Sequence, residues 1–189
     1  MKRTIASSLL IAFGLGLTVS TADEPKQHEM PQPTKEHEWL SRLEGEWTIK
    51  GHCSDPSGAK KPVEGTEKVE LLGGFWSVGR VESKTGDQEL SGVYTLGYDA
   101  RSGEYISTWV DSVSGELYSA RGSMDPSNRI LTLQGEGYCP VQKKVIKFKD
   151  VIEIEDEEHR TYTAHHEVNG QMVPMLHLRY TKKAGATPQ

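Results

Sequence analysis

Residues 92–112, GVYTLGYDARSGEYISTWVDS, decide the fold. In the first half Tyr94, Leu96 and Tyr98 alternate with Thr95 and Gly97. In the second half Tyr105, Ser107 and Trp109 alternate with Ile106, Thr108 and Val110. A period of two sends neighbouring side chains to opposite faces of an extended chain. Asp99-Ala100-Arg101-Ser102-Gly103 between the arms supplies turn chemistry, so the stretch predicts a β-hairpin.

The same grammar extends in both directions. Ten strands are predicted, at 46–53, 64–71, 75–83, 88–97, 104–112, 116–123, 129–135, 144–155, 160–168 and 172–182. Turn-forming groups separate them, among them Gly73-Gly74, Ser114-Gly115, Asp125-Pro126-Ser127-Asn128, Cys139-Pro140 and Asn169-Gly170. Links this short leave no room for crossover helices and imply an antiparallel, up-and-down order. A meander of that length must hide two sheet edges, and closing into a barrel removes both. In 144–155, Ile146, Phe148, Ile152 and Ile154 face one way and Lys147, Lys149, Glu153 and Glu155 the other, giving one dry face and one wet face. Before the first strand, Thr34 can cap a short helix running through Glu44 that brings Trp39, Leu40 and Leu43 to one face, with Gly45 ending it. The expected fold is therefore all-β: an antiparallel barrel of about ten strands with a short N-terminal helix.

The ends of the chain read differently. Met1-Lys2-Arg3, the apolar run from Ile5 to Val19 and the small residues Ser20-Thr21-Ala22 form the pattern of a secretory signal peptide over residues 1–22. The apolar run is too short and too interrupted by Ser7, Ser8 and Thr18 for a membrane anchor, so export to the periplasm or medium is the expectation. Residues 23–33, DEPKQHEMPQP, read as a flexible linker, 34–182 as the barrel domain and 183–189 as a disordered tail. The 189-residue chain carries a formal net charge of −5, which becomes more acidic once Lys2 and Arg3 are removed. An acidic chain without basic clusters is a poor partner for nucleic acid or anionic membranes. The only two cysteines, Cys53 and Cys139, would meet an oxidising compartment, where a disulfide between them is the expectation and two buried thiols the alternative.

Gly45-Glu46-Trp47 at the start of the first strand, with a basic residue at Arg179 on the last, resembles the signature of calycins, the superfamily of lipocalins and fatty-acid-binding proteins. That resemblance implies that Trp47 plugs the closed end of the barrel with the Arg179 guanidinium across it. Leu72-Gly73-Gly74-Phe75, Thr95-Leu96-Gly97-Tyr98-Asp99, Thr108-Trp109-Val110-Asp111-Ser112 and Leu178-Arg179-Tyr180-Thr181 are similar to the succession in an uncharacterised bacterial family, domain of unknown function 1579. The resemblance covers about residues 35–182 and implies a lipocalin-like barrel without an established activity.

A barrel of this size has room for a small apolar or amphipathic ligand, with Tyr94, Tyr98, Trp109, Asp111 and His177 as its candidate lining. The same aromatics also serve core packing, and Asp111 equally suits a turn. Enzymatic chemistry has less to stand on: the chain lacks a Gly-x-Ser-x-Gly elbow, a His-Glu-x-x-His pair, a phosphate loop and a dinucleotide fingerprint. No metal set is expected, because pairing around Asn169-Gly170 places His165 near Pro174, His166 near Val173 and His177 opposite Tyr162. No cofactor is expected either. Haem is the alternative, because Gly45, Trp47 and Gly51 resemble the opening of nitrobindins, with Ile49 replacing a glycine of that pattern. On that reading His165, His166 or His177 would be the axial ligand. A fully packed structural or interaction module is the remaining alternative.

Overall fold

The computed structural model describes residues 30–55, 58–140 and 142–185. The expected signal peptide, residues 23–29 of the linker and residues 186–189 of the tail lie outside the described residues. Ten antiparallel strands close into a barrel: β1 (Gly45–Ser54), β2 (Lys60–Leu72), β3 (Trp76–Thr85), β4 (Gln88–Asp99), β5 (Glu104–Asp111), β6 (Tyr118–Met124), β7 (Ile130–Cys139), β8 (Lys144–Ile154), β9 (His159–Val168) and β10 (Gln171–Lys182). Each strand pairs with the next in sequence, and β1 pairs with β10 from Trp47↔Lys182 to Cys53↔Leu176, so neither edge is left open. The central hairpin forms in the register its alternation predicts, with Tyr94 opposite Trp109 and Tyr98 opposite Tyr105. Asn169 and Gly170 both have positive φ, 53° and 79°, the pair of angles that a tight two-residue hairpin turn requires.

The segment before β1 differs from a simple helix. α1 (Lys35–Glu38) makes one turn after Thr34, whose backbone N–H donates to His37 Nδ1 at 3.0 Å. The chain then tightens into a 3-10 turn, Trp39–Leu43, which buries Trp39, Leu40 and Leu43 across one end of the barrel. Trp39 Nε1 donates to the Asn128 carbonyl at 3.2 Å, Tyr105 Oη to the Glu36 carbonyl at 2.9 Å, and Trp47 Nε1 to the Leu43 carbonyl at 2.8 Å. The plug is thus fixed by polar contacts as well as by apolar burial, and a segment too short to hold as a free helix is held by docking.

At this closed end the cation across Trp47 is Arg160 on β9. Its guanidinium lies 4.7 Å from the Trp47 ring and 4.0 Å from the Tyr180 ring, and it forms a fully buried ion pair with Glu67 of β2. Arg179, expected in that place, is exposed and pairs with Glu155 at 2.7 Å. The reason is parity. Tyr180 points inward, so its neighbour Arg179 points out, whereas Arg160 sits opposite Tyr180 and shares its face.

The expected disulfide is also absent, and Cys53 and Cys139 are both free. Cys53 ends β1 and Cys139 ends β7, with β10, β9 and β8 between them around the wall. Four inter-strand steps of about 4.8 Å separate them around the wall, well beyond the Cα separation of about 6 Å that a disulfide spans.

Candidate functional site

The inward-facing side chains divide the barrel into two halves. Next to the plug five are almost completely buried: Trp47 is 1% exposed, Ile49 0%, Leu96 1%, Leu131 0% and Ile154 2%. Towards the other end, ringed by the turns after β1, β3, β5, β7 and β9, many inward side chains are only half-buried. Tyr94, Trp109, Tyr118, Asp150, Tyr162 and Leu176 belong to this group, each placed by its strand's alternation on the same face as buried neighbours. The upper half, the cup, is therefore packed less completely around these groups than the lower half, the core, is around Trp47 and Ile49.

Glycines on neighbouring strands shape the cup wall. Tyr94 of β4 lies where a Cβ at Gly79 of β3 would stand, and Trp109 of β5 does the same over Gly92 of β4. A side chain at either glycine would displace the ring, so the glycines let large aromatics lie flat on the sheet.

The floor of the cup is polar. Asp150 on β8 shares a hydrogen bond with the Tyr162 phenol of β9, and burial pushes the Asp150 carboxyl up to about 6. The same burial raises the phenols of Tyr162, Tyr94 and Tyr180, which stand near enough to influence one another. The Tyr94 hydroxyl is buried and finds no hydrogen-bond partner among the described residues. A buried, unmatched hydroxyl costs roughly 1–3 kcal/mol, a cost that a ligand supplying a partner would remove. His166 stands opposite Phe148 on the same face, and burial holds its pKa below the usual histidine value.

The structure separates the residues expected to line a ligand site. Tyr94 and Trp109 face the lumen, opposite one another on β4 and β5. Tyr98 instead joins the closed end, in edge contact with Tyr105 at 5.1 Å and His37 at 5.5 Å. Asp111 is used locally: Oδ2 accepts from Trp109 Nε1 at 2.8 Å, and Oδ1 from the backbone N–H groups of Val113 and Ser114 at 2.9 and 2.7 Å. It therefore fixes the Trp109 ring and the turn after β5.

His177 points outward. Its Nδ1 lies 3.0 Å from Thr163 Oγ1, and its ring stands beside His52 at 5.8 Å. The register explains this: His165 does pair with Pro174 and His166 with Val173, but an irregularity between Pro174 and Leu176 shifts the ladder by one. His177 then opposes Thr163 rather than Tyr162, and the side chains beyond the shift exchange faces. Of the three histidines considered as haem ligands, His166 is the one on the inner face. His165 sits on the outer face beside the Lys149 carbonyl at 3.3 Å.

Asp150, Tyr162, Glu67 and Arg160 were not singled out by sequence. A signal for Asp150 was present: it occupies the dry-face parity of β8, between Phe148 and Ile152. Glu67 likewise interrupts the buried row Val63, Val69 on β2.

The pattern of a family described as "Protein of unknown function (DUF1579)" matches residues 32–182. No curated protein matches the chain. Among solved structures, Rv2717c from M. tuberculosis is similar, with a TM-score of 0.63 and 16% identity over 80% of this chain and 99% of that one. The S-type phycobiliprotein lyase CPES from Guillardia theta has a TM-score of 0.52 and 12% identity over 83% of this chain and 100% of its own. At these identities the likeness is one of fold.

Proposed function

The chain belongs to the DUF1579 family of proteins of unknown function, and on that premise we propose that it is an exported barrel that holds one small amphipathic molecule in its cup. The observation behind this reading is the run of half-buried aromatic and polar side chains, Tyr94, Trp109, Tyr118, Asp150 and Tyr162, that face inward above a core of fully buried Trp47, Ile49, Leu96, Leu131 and Ile154. A purely structural barrel gains nothing from leaving Tyr94 without a partner or from burying Asp150. A ligand with an apolar body and a polar head explains both. The rings of Tyr94, Trp109 and Tyr118 cover its body, and Asp150 and the phenols meet its head. Trp109 cannot drift, because Asp111 holds its indole N–H.

Export rests on the pattern of residues 1–22, and N-terminal sequencing of the natively produced protein should begin at Asp23. Binding is tested by native mass spectrometry of protein purified from its own compartment. The expected result is a retained mass of a few hundred daltons, lost on organic extraction. A bare chain mass under conditions that preserve the fold would contradict the reading.

A further inference from the structure

The chemistry of the cup restricts the head group of its ligand. The carboxylate that faces the lumen in the upper half is Asp150, hydrogen-bonded to the Tyr162 phenol, with Tyr94 and Trp109 facing the same lumen from β4 and β5. Among the described residues the cations of the barrel interior lie elsewhere; the buried one, Arg160, pairs its charge with Glu67 although its Nε has no hydrogen-bond partner. Arg160 lies below, paired with Glu67 and layered between the rings of Trp47 and Tyr180. Lys182 reaches the closed-end face of Trp47, at 5.3 Å. Lys61 and Lys144, opposite Cys53 and Cys139 in the ladders, stand on the exposed rim. His166 is held towards its neutral form by burial and by His165.

A carboxylate head on a ligand would therefore meet a like charge at Asp150 with no free cation on the floor. A protonated amine would meet an opposite charge, electron-rich ring faces and the free lone pairs of the Tyr94 hydroxyl. It would also be the counter-charge that a desolvated Asp150 otherwise lacks.

We propose that the molecule held in the cup is an amphipathic amine, its ammonium head seated between Asp150 and the tyrosine rings and its tail along the aromatic wall. This rests on the reading of the upper barrel as a ligand cup. It differs from a fatty-acid site, which needs an unmatched cation on the floor.

Calorimetric titration with decylammonium, decanol and decanoate, each below its micelle concentration at pH 7.5, tests it. The tails are equal, so differences report the head. Decylammonium should bind one to one, at least tenfold tighter than decanol, and decanoate should bind weakest. Asp150→Asn should bring decylammonium to within about threefold of decanol, with circular dichroism and a cooperative unfolding transition showing that the variant is folded. Decanoate binding as tightly as decylammonium, or a preference for the amine that survives in D150N, overturns the amine assignment and leaves the cup standing. Failure of all three tails to bind overturns the cup and the amine together.

Discussion

The two ends of this barrel are built from the same alternating strands yet follow opposite rules. At the plugged end Trp47, Ile49, Leu96, Leu131 and Ile154 are fully enclosed, and the one buried ion pair among the described residues, Glu67–Arg160, lies against the Trp47 and Tyr180 rings. At the other end the same parity presents a carboxylate, three phenols and an indole to a lumen packed less completely around them. Closure of the wall is thus independent of filling of the lumen. The plugged half supplies the packing that allows the upper half to remain open and chemically specific.

The sharpest contrast should appear in the charges. Glu67→Gln leaves Arg160 buried without a partner and should cost about 3–5 kcal/mol in urea unfolding. Arg179→Met, which removes only the exposed pair with Glu155, should change stability by less than about 0.5 kcal/mol. Equal effects would mean that Arg179, and not Arg160, closes the barrel.

Apolar truncations probe the same division. Ile49→Ala should cost about 2–5 kcal/mol because it opens a cavity in a filled core. Leu176→Ala, whose side chain is only half-buried, should cost only about 1 kcal/mol. Similar losses would show that the upper half is packed like the lower.

Asp150 gives the comparison a pH dependence. Its folded pKa of about 6 lies above the ordinary carboxylate value, so the folded state holds the proton more tightly than the unfolded chain. The stability this contributes is complete below about pH 4 and is lost as pH rises through 6. Asp150→Asn should therefore stabilise the protein at pH 7.5 by about 1–3 kcal/mol, with the gain vanishing at pH 4. A destabilised D150N at neutral pH would place the carboxylate in a fully satisfied network, not in a cup awaiting a ligand.

Hemin provides the smallest expected effect. With His165 and His177 on the outer face, only His166 of the three could reach iron from the lumen, and no saturable one-to-one Soret shift is expected. A shift abolished by His166→Ala would replace the amphiphile with haem.

Much of this architecture could be read from the chain because strand alternation and turn dipeptides are local properties. Tyr94, Thr95 and Leu96 declare a strand without reference to anything distant. The pairings that matter for function are not local. Arg160 meets Trp47 across the β10 strand, and neither residue's neighbours announce the other. A single irregularity after Pro174 turned His177 outward, and its mark in 172–182 is that proline, which cannot donate to a ladder and in a wall without edges belongs at a bulge. Asp150 was legible in principle as a carboxylate at a dry-face position, since burying an acid among Phe148, Ile152 and Ile154 requires a reason. The cysteines misled because compartment chemistry says that a bridge is permitted, whereas position around the wall decides whether it forms.

The central claim is that the upper lumen is open and takes a ligand. Fluorescence titration with the neutral apolar probe N-phenyl-1-naphthylamine tests it in the wild type, in Ala164→Trp and in Ile49→Val. Ala164 lies between Tyr162 and His166 on the inner face, so an indole there occupies the cup, while Ile49→Val makes a one-methyl change confined to the closed half. Saturable one-to-one enhancement in wild type and I49V, abolished in a folded A164W, is the predicted result. Enhancement that is absent in the wild type, or that persists undiminished in A164W, would contradict it.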